Sequence, residues 1–196
     1  GDASPLQALQ WTESGLRLSL VSDQLDHANF PQSGYRVQFE GQSGYRRPQI
    51  ERRTFTRLDL RATAVGSWNG HTLNAHLRLA RTNALAAGAV DEFSLGGFQQ
   101  LSGYRVGQVV GDQLLLARLS YYRPLGTATP LTRGLFAGAT LEAGNAWGHA
   151  ETVRLGQLRL GSSLFLGADT GIGPVYLSLV HAPKGYTGLY LLVGRP

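Results

Sequence analysis

Arg57-Leu58-Asp59-Leu60-Arg61-Ala62-Thr63-Ala64 sets a charged or polar side chain beside an aliphatic one at every step. A helix, turning once every 3.6 residues, would spread those charges around its circumference. An extended strand points successive side chains to opposite faces, so it sorts the same residues into one apolar and one polar stripe. The stretch therefore predicts a strand, and the same period runs outward from it in both directions. Towards the N-terminus, Leu16, Leu18 and Leu20 alternate with Arg17 and Ser19, and Tyr35, Val37 and Phe39 with Arg36, Gln38 and Glu40. Towards the C-terminus, the pattern returns in Leu73 to Leu79, Leu115 to Tyr122, Leu135 to Glu142 and Leu158 to Leu166. Two shorter stretches, Val175 to His181 and Gly188 to Gly194, follow. About nine strands are expected, with Leu6 to Trp11 a weak tenth. At about 9–12 residues they exceed the usual globular strand and match a tilted membrane-crossing one.

Breaks fall between these runs, at Pro31-Gln32-Ser33-Gly34, Trp68-Asn69-Gly70, Pro124-Leu125-Gly126, Gly171-Ile172-Gly173-Pro174 and Pro183-Lys184-Gly185. Short turns alternate with longer gaps, Gln42 to Thr54 and Thr82 to Gly111, which is the asymmetry of an outer-membrane barrel with one short-turned and one long-looped rim. Trp68, Tyr121, Tyr122, Trp147, Tyr176 and Tyr190 lie near expected strand ends, where interfacial aromatic girdles sit.

The 196 residues suit a single domain, residues 1–196. There is no Cys, which excludes disulfides, thiolate catalysis and Cys-based metal sites, and no Met, so Gly1 reads as the start of a mature or cut piece. The net charge of +5 comes from arginines spread along alternating segments. The densest group, Arg46, Arg47, Arg52 and Arg53, reads as a loop. Neither feature makes the continuous basic stripe of a nucleic-acid binder, and no nucleic-acid partner is expected. No apolar run reaches the ~18 residues of a membrane-spanning helix. Alternation alone fits two folds: a transmembrane barrel with leucines on lipid, or a soluble barrel that holds a small hydrophobic ligand, leucines inside and arginines outside. Strand length favours the membrane.

The most distinctive stretch is Phe93-Ser94-Leu95-Gly96-Gly97-Phe98-Gln99-Gln100-Leu101-Ser102-Gly103-Tyr104. It resembles the inward-folded loop of the outer-membrane assembly and secretion barrels, the BamA/TamA/FhaC-like surface-antigen superfamily. Other parts fit in order: Ser22 to Asp26 with Phe30 to Gly34, then Leu141-Glu142-Ala143-Gly144-Asn145-Ala146-Trp147, the hairpin Leu166 to Val180, and Gly188 to Pro196 as closing strand. The resemblance implies an all-β antiparallel transmembrane barrel in the bacterial outer membrane, with this chain as the C-terminal part of a barrel of about 16 strands. It also implies a lumenal loop of Leu95, Gly96, Gly97, Leu101, Ser102, Gly103, Tyr104 and Arg105, facing Glu142 and Gly144. Ser102 stands where the family carries Arg, Glu142 where it carries Asp, and the chain ends Gly194-Arg195-Pro196 where barrels end on an aromatic. Two replacements for the missing arginine are open: Arg105 beside Tyr104, or a neutral hydrogen bond from Ser102 to Glu142.

The Ser-Gly-Tyr variant is most similar to the barrels of patatin-like phospholipase autotransporters, which implies anchoring or translocation of a polypeptide passenger. The implied partners are membrane lipid and lipopolysaccharide, a secreted passenger or attached N-terminal domain, and the outer-membrane assembly machinery. A homodimer through free strand edges is the alternative to closure within one chain. No enzyme activity is expected of this segment. The Gly-x-Ser-x-Gly elbow of a lipase is absent, and Asp169-Thr170-Gly171, a single copy of the aspartic-protease tripeptide, reads as a turn. His27, His71, His76, His149 and His181 lack ligand spacing, so neither metal nor cofactor is expected.

Overall fold

The computed structural model describes residues 12–47, 53–83, 92–126, 132–148 and 151–195. Strands β1 (Thr12–Asp23), β2 (Gly34–Arg47), β3 (Arg53–Trp68) and β4 (His71–Thr82) follow one another up and down. The chain then forms a small ribbon, β5 (Phe93–Leu95) and β6 (Val109–Gly111), before β7 (Gln113–Gly126), β8 (Thr132–Trp147), β9 (Arg159–Thr170), β10 (Gly173–His181) and β11 (Thr187–Val193). Apart from the ribbon, these make one nine-stranded antiparallel sheet in the order β1-β2-β3-β4-β7-β8-β9-β10-β11. The nine runs of alternation are its nine strands. The weak tenth, Leu6 to Trp11, lies outside the described residues. Among the described residues the sheet is an open arc, with β1 and β11 as its edges.

Register converts alternation into two continuous surfaces, because residues paired across strands share a face. On one face the pairing runs Leu20, Phe39, Leu60, Leu79, and further on Leu119, Leu141. These side chains are uncovered: Leu16 is 84% exposed, Leu141 66% and Leu189 76%. An apolar wall of that extent is unfavourable in water and suits acyl chains. On the other face, Thr63, His76, Arg118, Glu142 and Gly161 form a single pairing row across β3, β4, β7, β8 and β9. This face is concave. Asn29, in the loop after β1, donates to the Asp169 carboxylate at the end of β9 (2.8 Å). The soluble alternative, with leucines gathered in a dry centre, is thus overturned: the leucine stripe faces out and the charged stripe faces in, with Leu114 and Leu116 among the inward exceptions.

Connections differ between the rims. At the lower rim, two-residue turns join β3 to β4 and β9 to β10. Asn69 and Gly70, with φ of 47° and 76°, make the mirror-image turn that matches strand twist. The upper rim carries the 30-residue excursion 83–112 and the connection 148–158, in which Leu155–Gln157 form a 3-10 turn.

Three expectations are corrected. The strands are longer than expected at the upper rim, up to 16 residues in β3 and β8, so Arg46, Arg47 and Arg53 belong to strand ends and not to a loop. Tyr122, Trp147 and Tyr176 are not girdle residues; each is buried, Trp147 with its indole N–H on Gln157 (2.8 Å). Tyr190 leans on the inner aromatic cluster. Trp68, His71 and Tyr121 do form an outward aromatic group at the lower rim, rings 6.1 and 5.8 Å apart.

Candidate functional site: a loop held inside the arc

Segment 93–111 leaves the upper rim, turns into the concave face and returns. Its ribbon is anchored by apolar contact. Phe93, Leu95, Leu101, Tyr104 and Val109 pack with Ala80, Leu114 and Leu116 of the wall and Ala182 of the β10–β11 turn. The Arg57 guanidinium lies 4.1 Å over the Phe93 ring. Gly144 leaves the space that Leu95 enters; a Cβ there would sit 3.2 Å from the Leu95 side chain.

The tip is held by Glu142. Its Oε2 accepts the backbone N–H groups of Leu101 (2.8 Å) and Ser102, and its Oε1 accepts the hydroxyls of Ser102 (2.8 Å) and Thr140 (2.6 Å). A carboxylate offers about four lone-pair directions, and all four are taken. That is what allows a carboxylate to be buried here, since an unpartnered one would cost several kcal/mol (order of magnitude). Presenting two successive amides to one oxygen bends the backbone. Leu101 adopts φ +87° and Gln99 φ +61°, conformations that cost ordinary residues of order 1–3 kcal/mol. The rest of the tip closes on itself: Gly96 N–H donates to Gln100 O (2.6 Å) and Gly97 N–H to Tyr104 O (2.9 Å).

Gly103 and Gly161 permit the close approach. Gly103 has φ +82°, and a Cβ on it would lie 2.5 Å from the Ala182 nitrogen. A Cβ on Gly161 would lie 2.5 Å from the Ser102 carbonyl oxygen. Tyr104 is fully buried, its ring under the Arg159 guanidinium at 5.6 Å, and its hydroxyl has no partner among the described residues.

Of the two replacements for the loop arginine, the geometry has the Ser102 hydroxyl on Glu142. Arg105 is corrected as a lumenal partner: it is exposed, and its backbone N–H bonds the Gln108 side chain at 2.7 Å. The positive charge near Glu142 comes instead from the wall. Arg118 is the cross-strand neighbour of Glu142 on β7 and donates through Nη1 to the Gln99 carbonyl (2.8 Å). Arg118, Thr140 and Gly161 were missed from sequence. Thr140 was findable, since a residue two before Glu142 on a strand must share its face; Arg118 and Gly161 needed the register.

A second segment enters from the lower rim. Loop 24–33 drops Phe30 against Phe136 (4.2 Å, stacked), Tyr122 (5.9 Å) and Tyr176 (5.4 Å). Phe98 of the upper loop meets the same Tyr176 at 5.1 Å. The concave face is therefore not a simple wet surface; two loops and an aromatic cluster fill much of it.

The comparisons with known proteins agree with this architecture. The Omp85 superfamily domain matches residues 2–180. Among curated proteins no sequence match is found. The fold is similar to the crystal structure of BamA from Haemophilus ducreyi lacking POTRA domains 1-3, with a TM-score of 0.71 and 14% identity over 91% of this chain. The match covers 40% of that structure, so the chain spans about two-fifths of its length. With lipid-facing leucines, a charged concave face and an inserted loop, the chain is a bacterial outer-membrane β-barrel protein and belongs to the Omp85 superfamily.

Proposed function

We propose that this chain forms the C-terminal part of a barrel of roughly 16 strands that anchors or translocates a polypeptide passenger, in the manner of type V secretion. The observation that carries the reading is the saturated docking of Leu101 and Ser102 on Glu142. A pore that passes a chain needs an element that occupies the lumen at rest and can be displaced as a unit, and the tip of 93–111 is held by a compact polar set: Glu142, with Arg118 on the Gln99 carbonyl and the Tyr186 N–H on the Gly103 carbonyl. The open edges support the partial-barrel reading. Unpaired N–H and C=O groups are costly in lipid, and in this reading further strands pair with those edges. The long-looped rim would face outside and the two-residue turns the periplasm.

The passenger class is inferred from the Leu-Ser-Gly-Tyr form of the tip, which is similar to that of the patatin-like autotransporters. This part does no covalent chemistry in that reading; a lipase would be the passenger, joined through a short periplasmic domain. The test is surface exposure of the passenger to external protease in cells that make the complete protein. Wild type should expose it, and Glu142→Ala should lower exposure at unchanged barrel abundance. A wild-type passenger that stays shielded would overturn the secretion reading; unchanged exposure with a freed loop would remove the loop from transport.

A further inference from the structure

Between the two inserted loops lies a cavity of about 340 Å3. Its roof is Gln99 of the upper loop and its floor is 28–31 of the lower loop. Arg36, Arg61, Arg118, Arg195 and His76 line it, and no carboxylate does among the described residues.

Arg36 is paired with Asp23 at 3.5 Å, and the carboxylates nearest Arg118 and Arg61 are already engaged. Glu142 has its four lone-pair directions filled, which leaves none for its neighbour Arg118. Asp59 serves two guanidinium groups, Arg61 at 2.9 Å and Arg78 at 2.7 Å, so that cluster carries an unbalanced positive charge. Independently of charge, three side-chain atoms that line the cavity are buried without a partner among the described residues: the donors Arg118 Nε and the hydroxyl of Ser120 on β7, the latter in a residue only 4% exposed, and the acceptor Oδ1 of Asn74, the cross-strand neighbour of Ser120. Arg118 and Ser120 lie two residues apart and so share the inner face. Buried polar atoms in folded proteins are otherwise almost always paired.

We propose that this chamber is a binding site for a phosphate-type oxyanion, with Arg118 and Ser120 as its central donors. An oxyanion with three or more acceptor atoms can take the Arg118 Nε–H and the Ser120 hydroxyl together and still face a second guanidinium. The cavity is larger than a bare phosphate needs. The rings of Phe30, Tyr122, Phe165 and Tyr176 beside it leave room for an organic substituent. The chemistry is that of a phosphate ester, which a lipid headgroup or a free solute could supply.

The experiment uses the full-length protein in neutral detergent, titrated calorimetrically with inorganic phosphate, dihexanoyl phosphatidic acid and acetate. Phosphatidic acid should bind. Phosphate binding as well would mean the bare group suffices, and phosphatidic acid alone would mean a headgroup source; either supports the site. Arg118→Gln should weaken binding about 10- to 100-fold and Ser120→Ala about threefold to tenfold. Arg17→Gln, which alters an exposed inner arginine outside the cavity, should leave it unchanged. Should Arg118→Gln fail to fold, Ser120→Ala decides alone. No binding of either phosphate compound, equal binding of acetate, or binding unaltered by Ser120→Ala overturns the proposal.

Discussion

The two inserted segments occupy one lumen and differ in what holds their tips. The upper loop, 93–111, hangs its tip on a single carboxylate through directional hydrogen bonds. The lower loop, 24–33, packs the Phe30 ring against three others and adds separate polar ties: Asn29 donates to Asp169, Ser67 to the Gln32 carbonyl and the Tyr122 hydroxyl to Pro31 O. Hydrogen bonds to a buried charge are strong and angle-dependent, so they are made or lost as a set. Ring packing is non-directional and decays gradually as the ring slides. The difference assigns a concentrated, switch-like attachment to the upper tip and a distributed one, ring packing with scattered hydrogen bonds, to the lower loop.

The largest effect should come from Glu142→Ala. It strands the buried N–H groups of Leu101 and Ser102 and should cost about 3–5 kcal/mol of docking. Limited proteolysis of the folded barrel should then cut within 93–111. A loop that stays protected would mean the apolar cluster around Leu95 and Tyr104 holds it unaided. Next comes Phe30→Ala, worth roughly 3 kcal/mol from a lost buried ring. Hydrogen exchange should rise in 24–33 and not in 93–111. If both loops loosen together, Tyr176, which touches Phe30 and Phe98, couples them into one plug and the contrast dissolves.

A smaller change tests the polar side alone. Ser102→Ala removes the hydroxyl that donates to Glu142 and accepts from Gln99 N–H (3.1 Å). About 1–2 kcal/mol should be lost, read as a lower temperature for the shift between folded and unfolded gel mobility.

The smallest effect is one of pH, confined to the lower loop. Slight burial pushes the Asp26 carboxyl up, but the N–H groups of Gln32 and Ser33 and the His27 ring outweigh it and hold it below the ordinary carboxylate value. A lowered folded-state value stabilises the loop above the unfolded value of about 3.9, and this is lost as pH falls through the folded one. Hydrogen exchange in 24–33 should therefore rise below about pH 4, and Asp26→Asn should abolish that rise.

By itself the sequence determined what depends on neighbouring residues. Side chains on a strand alternate by backbone geometry, so nine strands, their two faces and the tight turn at Asn69-Gly70 follow from local pattern. The loop tip and the acidic residue singled out as its counterpart are named through their resemblance to a family motif, and not from local pattern. Only the tertiary structure decided which distant residues meet. Ser102 and Glu142 are 40 residues apart, Arg195 and Asn29 166. Those meetings depend on strand register and on how far the sheet curls. The same two quantities place Arg118 beside Glu142, turn Tyr122 and Tyr176 into the lumen, and bring Phe30 in from the opposite rim. Neither is encoded in any short stretch, since register and curvature arise from the summed pairing and packing of all nine strands.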